Sequence, residues 1–264
     1  MSDGDKVFAG SIPENYDRYL VPLIFQRYAE DMARRVGAQS PKMVLETACG
    51  SGVVTRAMAA VLAPDAQYVA TDLNQPMLDY AKSRQAGDTR VSWRQADALE
   101  LPFDDASFEV ICCQFGAMFF PDRIKAYREA KRVLKPGGLF VFNVWDRIEE
   151  YVFADSVTKA LAQLFPNDPP RFLARTPHGY YDVALIRSEL QAAGFRKLDS
   201  ETKAEQSRAP SPRHPAVAYC QGTPLRNEIE GKGANALELR PITRQNPLPC
   251  GTVVARFARR SRRM

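Results

Sequence analysis

The chain has 264 residues, of which 45% are hydrophobic and 25% are charged. This balance is typical of a globular protein with one large domain, or of a domain that carries a lid. No apolar run approaches the ~20 residues that a membrane-spanning helix needs. The N-terminus also lacks the pattern of a secretory signal. We therefore expect a cytoplasmic protein with no membrane partner.

The net charge of +5 is distributed unevenly along the chain. Residues 231–264 contain eight basic residues and one acidic residue, so this tail carries +7 and the rest of the chain carries −2. The body of the protein is close to neutral, which argues against a nucleic-acid partner. A metal site is not expected either, because the two histidines and five cysteines show no metal-like spacing.

The first 146 residues alternate between helical and strand patterns. Residues 14–36 place apolar side chains at three- and four-residue steps, which predicts an amphipathic helix within a helical cap of residues 1–40. The predicted strands that follow are MVLETA (43–48), QYVATD (67–72), VSWRQAD (91–97), FEVICCQF (108–115) and LFVFNVW (139–145). Helical patterns separate most of them, so the rhythm predicts an α/β fold with a doubly wound, mostly parallel sheet over residues 41–146.

The alternation breaks after Trp145. Residues 147–181 hold four prolines and six aromatic residues. They are too long and too apolar for a plain connector, and we expect a lid or acceptor segment there. Residues 182–230 should complete the core, with a helix over 183–195 and a strand over 195–203.

The basic tail, residues 231–264, differs from the rest in composition and in pattern. We hypothesise that it derives from a shifted reading frame or an altered terminus. The alternative is a basic, partly disordered extension. The tail contains one candidate strand, TVVARF (252–257). If the final strand of the sheet is missing, we expect TVVARF to replace it at the sheet edge, or the edge to be left for pairing with another chain.

The turn after the first predicted strand gives the first functional signal. The chain runs from Glu46 through Ala48, Gly50 and Gly52 into a helix. The two glycines let backbone N–H groups come close to a ligand, and the helix N-terminus adds partial positive charge. Such a turn also closes many plain βα units, so it indicates a site only together with other residues.

Two carboxylates strengthen that signal. Asp72 ends the second strand twenty residues after Gly52, where it can accept both hydroxyls of an adenosine ribose. Its alternative role is to cap the next helix, but Asn74 could fill that position. Asp97 follows the third strand at the same sheet edge and can accept an exocyclic amine, although alone it would indicate an Asx turn.

Together these motifs resemble the class I S-adenosylmethionine-dependent methyltransferases, in particular the small-molecule branch called type 11. The resemblance covers about residues 14–228. It rests, in this order, on VLETACGSG, VATDLNQPMLDYA, QADALELPF, FEVICCQFGAMFFPD and RVLKPGGLFVFNVW. It implies a Rossmann-like sheet of seven strands with an antiparallel last strand, and S-adenosylmethionine as the cofactor.

The resemblance also implies roles by position. The glycine turn would surround the methionyl part, Asp72 would bind the ribose, Asp97 and Ala98 would meet the adenine, and Gln114 would lie near the sulfonium. One departure is Ala48, which stands where the family often has glycine and is tolerable if its φ is negative. The residues predicted to bind the cofactor are Tyr16, Tyr19, Glu46, Ala48, Gly50, Gly52, Asp72, Leu73, Asp97, Ala98 and Gln114.

The acceptor side is less defined by the sequence. Aromatic residues suggest a small, partly apolar acceptor, although most of them could equally be lid packing. The candidates for this pocket are Phe119, Trp145, Phe172, Tyr180 and Tyr181. His178 is the candidate for a general base, against the alternative of a structural loop histidine. The identity of the acceptor and the oligomeric state are not indicated.

Two alternative functions remain open from the sequence alone. A nicotinamide-dependent oxidoreductase would need Gly or Ala at the third position of its fingerprint, where Thr55 stands and would obstruct a pyrophosphate. A regulator or partner subunit could bind S-adenosylmethionine without catalysis. Turnover with an acceptor would separate that regulator from an enzyme.

Overall fold

The computed structural model describes residues 3–85, 87–233 and 249–258. The strands are β1 (Met43–Glu46), β2 (Gln67–Asp72), β3 (Val91–Gln95), β4 (Phe108–Gln114), β5 (Leu134–Trp145), β6 (Asp199–Gln206) and β7 (Pro249–Ala258). The helices are α1 (Ile12–Asn15), α2 (Gln26–Gly37), α3 (Val53–Ala59), α4 (Gln75–Arg84), α5 (Arg123–Val133), α6 (Val152–Leu164), α7 (Phe172–Arg175), α8 (Val183–Ala192), α9 (Arg213–Gly222) and α10 (Leu225–Gly231).

The strands form one sheet in the order β3-β2-β1-β4-β5-β7-β6. The first five run parallel, while β7 pairs antiparallel with β5 on one side and with β6 on the other. The central strands are buried on both faces, which explains why β1 and β4 are apolar runs without polar alternation. The α/β fold class with a mostly parallel sheet is confirmed. Because the strand order reverses between β1 and β4, a crevice opens at their carboxyl ends.

The N-terminal helical run differs in detail from the single helix predicted over residues 14–36. It consists of α1, a π-helical segment at Tyr16–Phe25, and α2. The wide turn surrounds Pro22, which has no N–H to donate and whose ring would clash with a carbonyl one turn earlier. The π-helical segment therefore accommodates a proline that a regular α-helix could not hold.

The segment after β5 contains α6 and α7, and among the described residues no helix is both long and apolar enough to cross a bilayer. β6 begins four residues later than the strand predicted at 195–203. The candidate strand TVVARF lies within β7, but the expectation that it would lie at the sheet edge was wrong. β7 is flanked by β5 and β6. The predictions for the tail at 234–248 and 259–264 fall outside the described residues.

Candidate active site

A cleft lies at the carboxyl ends of β1, β2, β3 and β4, at the reversal of strand order. It contains about 870 Å³ of empty space, part of it open to solvent. The predicted cofactor residues that line it are Tyr16, Ala48, Gly50, Asp72, Leu73, Asp97, Ala98 and Gln114. The fold thus brings together residues from four consecutive strand ends.

Asp72 joins the two turns that form the floor of this cleft. Its Oδ2 accepts the backbone N–H of Gly50 at 2.9 Å, and its Oδ1 accepts the backbone N–H of Asn74 at 2.8 Å. The side chain is buried, and this burial raises the pKa of the Asp72 carboxyl. Asn74 occupies the N-cap position of α4 without a side-chain capping bond. Asp72 therefore organises the turn through hydrogen bonds and faces the cleft as well.

The glycine turn adopts left-handed backbone conformations. Gly50 has φ +56° and Gly52 has φ +82°, which glycine adopts without steric cost. Ala48 has φ +53°, so the condition of a negative φ on which we judged its methyl group tolerable is not met. A left-handed conformation costs an L-residue roughly 1–2 kcal/mol. Backbone strain of this kind often lies at ligand sites.

Asp97 forms the Asx turn that the sequence left open as an alternative, and it also lines the cleft. Its Oδ1 accepts the backbone N–H of Leu99 at 2.9 Å, which is the geometry of an Asx turn. The residue is exposed and lines the cleft beside Ala98. The turn uses only one of the two carboxylate oxygens, so Asp97 can hold its loop and still accept a hydrogen bond.

Three residues predicted to contact the cofactor do not line the cleft. Glu46 is 1% exposed, and its Oε2 accepts the hydroxyls of Thr55 at 2.5 Å and of Tyr68 at 2.7 Å. Burial raises the pKa of Glu46 to about 7. Gly52 faces α4, where an added Cβ would lie 3.0 Å from the Cβ of Ala81. Tyr19 packs edge-on against the ring of His214 and is likewise outside the cleft lining.

Gln114 lies at the end of β4 and is 9% exposed. Its Nε2 donates to the backbone carbonyl of Phe25 at 3.4 Å. Its Oε1 is buried and has no hydrogen-bond partner within the described parts of the chain. A buried acceptor without a donor is costly, and such groups often mark a place where a ligand completes the bonding.

Several lining residues carried no signal in the sequence. Lys6 and Phe8 reach the cleft from the N-terminal segment, and Phe115 follows Gln114 at the end of β4. Phe115 has φ +51°, and its N–H donates to the side chain of Asn143 at 2.9 Å. Its position as the last residue of a predicted strand could have indicated it, but nothing in the sequence indicates its backbone conformation. Lys6 and Phe8 lie more than 35 residues before the first motif.

A second, apolar pocket adjoins the cleft and encloses about 470 Å³ of empty space. Four residues line both cavities: Phe8, Tyr16, Phe115 and Phe119. The remaining lining of this pocket consists of Leu20, Ile24, Phe25, Trp145, Phe172, Leu173, Pro177, His178, Tyr219 and Thr223. Of the aromatic residues predicted for an acceptor pocket, Phe119, Trp145 and Phe172 line it. Tyr180 bonds to Glu189 elsewhere, and Tyr181 is 41% exposed.

Two aromatic stacks form the walls of the apolar pocket. The rings of Phe115 and Trp145 lie parallel with centroids 3.5 Å apart, and the ring of Tyr16 stacks on Phe25 at 4.9 Å. Stacked aromatic walls offer large, flat apolar surfaces. The lining of the pocket is therefore suited in polarity to an apolar group.

His178 lies in the apolar pocket and does not line the cleft. It is 5% exposed, and its Nδ1 lies 2.8 Å from the backbone carbonyl of Asp146. A carbonyl can only accept, so Nδ1 carries the hydrogen and Nε2 is a free acceptor in the neutral ring. Burial lowers the pKa of His178 to about 4. The ring is therefore neutral at physiological pH, and no partner bonds to Nε2 in the part of the chain that is described.

Comparison with known proteins finds methyltransferases that are similar to this chain. Residues 45–142 match the model of a family described as a methyltransferase domain. A demethylmenaquinone methyltransferase of Clavibacter sepedonicus is 31% identical over 175 residues, which are 63% of this chain and 70% of that protein. A protein of the same name from Staphylococcus aureus is 31% identical over 134 residues, which are 50% of this chain and 56% of that protein.

Solved structures share the fold at lower identity. A phosphoethanolamine N-methyltransferase of Haemonchus contortus, in complex with phosphomonomethylethanolamine and S-adenosylhomocysteine, superposes with a TM-score of 0.61 at 14% identity. The match covers 94% of this chain and 57% of that protein. A SAM-dependent methyltransferase of Aquifex aeolicus gives a TM-score of 0.54 at 16% identity, covering 93% and 98% of the two chains.

Proposed function

Because the chain belongs to the S-adenosylmethionine-dependent methyltransferases, we propose that it methylates a small aromatic acceptor held in the apolar pocket. The observation that carries this proposal is the wall shared by the two cavities, formed by Phe8, Tyr16, Phe115 and Phe119. A planar ring bound against that wall would face the cofactor cleft directly. Two relatives are named for demethylmenaquinone, and we extend this aromatic, quinone-derived class to the present chain.

The residues of the cleft fit S-adenosylmethionine, which supplies an electrophilic methyl group on its sulfonium when bound. We assign to Asp72 the two ribose hydroxyls, because its buried carboxylate lies at the end of β2. To Asp97 we assign the exocyclic amine of adenine, which the second carboxylate oxygen can accept. Gly50 presents the glycine turn to the methionyl part, and the buried Oε1 of Gln114 would accept a donor close to the reacting centre.

The apolar pocket aligns the acceptor with the methyl group and excludes water from the reaction. Methyl transfer from a sulfonium is an in-line displacement, and its rate depends on holding the nucleophile behind the methyl group. The stacked rings of Phe115 and Trp145 can fix the plane of an aromatic acceptor. Their apolar surface also keeps water from competing as a nucleophile.

His178 supplies the polar group that such an acceptor needs. Its neutral Nε2 can accept a hydrogen bond from an acceptor hydroxyl and take that proton as the new bond to the methyl group forms. The hydrogen bond from Nδ1 to the carbonyl of Asp146 fixes the tautomer in which Nε2 is the acceptor. We therefore propose His178 as the general base of the reaction.

The proposal is tested by measuring methyl transfer to one aromatic acceptor and to one small polar acceptor. The protein is incubated with S-adenosylmethionine and either 1,4-naphthohydroquinone or phosphoethanolamine, and both S-adenosylhomocysteine and the methylated product are measured by mass spectrometry. We expect a methylated naphthalene product and none from phosphoethanolamine. Methylation of phosphoethanolamine instead, or S-adenosylhomocysteine binding with no product from the naphthalene, would contradict the proposal.

A further inference from the structure

The N-terminal strap, residues 3–17, lies against both cavities. Phe8 and Tyr16 line the cofactor cleft and the apolar pocket alike, and Lys6 lines the cleft. The ring of Phe8 meets the rings of Tyr16 and Phe119 edge-on, at 6.2 and 5.8 Å. The strap therefore forms a common wall, and neither cavity is complete without it.

One end of the strap is bound to the turn that carries His178. Asp5 is 1% exposed, and its carboxylate accepts the hydroxyl of Thr176 at 2.6 Å and the guanidinium of Arg175 at 2.5 and 3.1 Å. Arg175 also donates to Glu228 at 2.6 Å. Charge-assisted bonds of this kind are among the stronger polar contacts in proteins.

The other end of the strap is bound to the cofactor loops. Asp17 accepts the hydroxyl of Ser51 at 2.9 Å, inside the glycine turn, and the guanidinium of Arg56 at 2.5 Å. Between these two ends, the N–H of Phe8 donates to the side chain of Asn74 at 3.2 Å. The strap thus bonds directly to the turns after β1 and β2, which bear the predicted cofactor residues.

The turn at 175–179 connects the two residues that bond to Asp5 with His178. The N–H of His178 donates to the carbonyl of Leu173 at 3.0 Å. Gly179 packs so tightly that an added Cβ would lie 2.1 Å from the carbonyl of Arg175. A turn packed this closely moves as a unit, so fixing Arg175 and Thr176 also fixes the imidazole.

We propose that Asp5 is a positioning residue that couples closure of the strap over the cofactor to the placement of His178 and the acceptor wall. This inference rests on the proposed function for the role of His178, but the coupling itself concerns only the strap and the turn. Occupation of the cleft would hold Phe8 and Tyr16 in place. Asp5 would then order the 175–179 turn, which itself does not line the cleft.

Hydrogen–deuterium exchange with S-adenosylhomocysteine as the probe tests the coupling without any acceptor. We expect the probe to slow exchange at least about fivefold in peptides covering the strap and, separately, in peptides covering 173–180. In Asp5→Asn the strap should keep part of its protection near Asn74, whereas 173–180 should lose its response to the probe. Asp65→Asn, which removes a carboxylate from an exposed ion pair with Lys42, is the matched control and should behave as wild type.

The possible results separate this inference from the proposed function. No binding of the probe would contradict the proposed function. Binding without any change at 173–180 in the wild type, or an unchanged response in Asp5→Asn, would overturn the coupling. Thr176→Val removes one of the bonds to Asp5 without removing a buried charge, and it provides the same test if Asp5→Asn does not fold.

Kinetics supply a readout that a merely structural role would not change. With 1,4-naphthohydroquinone as the acceptor, Asp5→Asn should raise KM and lower kcat. The ratio kcat/KM should fall about tenfold, as expected when a positioned group is displaced. Its affinity for S-adenosylhomocysteine should change less than about threefold. Equal losses in cofactor affinity and in kcat/KM would indicate general loosening of the fold and would overturn the inference.

Discussion

The cleft and the apolar pocket share a wall but differ in the chemistry of their linings. The cleft presents the carboxylates of Asp72 and Asp97 together with the backbone of the glycine turn. The pocket presents aromatic rings and the single imidazole of His178 among mostly apolar neighbours. In the proposed function, the cleft holds its ligand by directed hydrogen bonds and the pocket holds its ligand by apolar area. Substitutions of residues that line only one region and lie outside the strap should therefore change mainly the function of that region.

The largest expected effect is in the cleft. Asp72→Ala removes the acceptor proposed for both ribose hydroxyls, and hydrogen bonds to charged groups contribute about 1.5–3 kcal/mol each. We expect the Kd for S-adenosylhomocysteine, measured by isothermal titration, to rise about 1,000-fold. Asp79→Ala, on the exposed face of α4, is the control. If the Kd for S-adenosylhomocysteine rises less than tenfold in Asp72→Ala, Asp72 does not belong to the proposed site.

His178→Gln should have the opposite pattern to Asp72→Ala: it should lower the rate of methyl transfer without changing the affinity for the cofactor product. Loss of a general base typically lowers the rate by 10²–10⁴, and we expect about 100-fold in kcat with an unchanged Kd for S-adenosylhomocysteine. The matched control is His214→Gln, since His214 contacts Tyr19 outside both cavities. If both variants retain full kcat, the proposed base is wrong.

The pH dependence gives an independent test of the same residue. Because burial lowers the pKa of His178 to about 4, the neutral form persists as the pH falls through the range where an ordinary histidine gains its proton. The rate of the wild type should therefore show no acidic limb from His178 between pH 5 and pH 7. An acidic limb near 6.5 that disappears in His178→Gln would show an imidazole exposed to solvent during turnover.

A smaller effect is expected from the apolar wall. Phe172→Leu removes part of a ring that lines the pocket but not the cleft. Since partial loss of a buried apolar contact costs about 1 kcal/mol, the KM for 1,4-naphthohydroquinone should rise about fivefold. Cofactor affinity should not change. A change in cofactor affinity as large as the change in KM would show that the two regions are not separable.

The smallest effect concerns the strained glycine turn. Ala48→Gly relieves a left-handed conformation but adds chain entropy to the unfolded state, so we expect a net gain of less than about 1 kcal/mol in the free energy of unfolding. Ala106 has nearly the same φ, +54°, outside both cavities. Ala106→Gly should give a similar gain in the free energy of unfolding, measured by thermal denaturation. A loss of stability in Ala48→Gly alone would mean that the methyl group of Ala48 makes a packing contact that outweighs its strain.

The cleft could be predicted largely from the sequence because its parts are local. Gly50, Asp72 and Asp97 each end a strand or follow one, and parallel strands bring those ends to one edge. Glu46 shares that position but does not line the cleft, because its side chain is buried with Thr55 and Tyr68. Sequence position identifies the strand end and leaves the direction of the side chain open.

The pocket could be predicted only in part, because its walls come from distant segments. Phe119, Trp145 and Phe172 were predicted as aromatic candidates for this pocket, but the same prediction included Tyr180, whose hydroxyl bonds to Glu189. Phe8 carried no pattern at all. Its place depends on tertiary contacts of the strap, such as the bond of its N–H to Asn74 66 residues away, and no local propensity reports such contacts.

The position of β7 has a consequence for the order in which the molecule assembles. β7 is the last of the described strands in sequence order, yet it is inserted between β5 and β6. β6 pairs only with β7 among the described strands, so it has no place in the sheet until β7 has been synthesised. On the ribosome, the five parallel strands and the cleft could form early, whereas β6 would wait for residues 249–258 and the outer part of the sheet would close last.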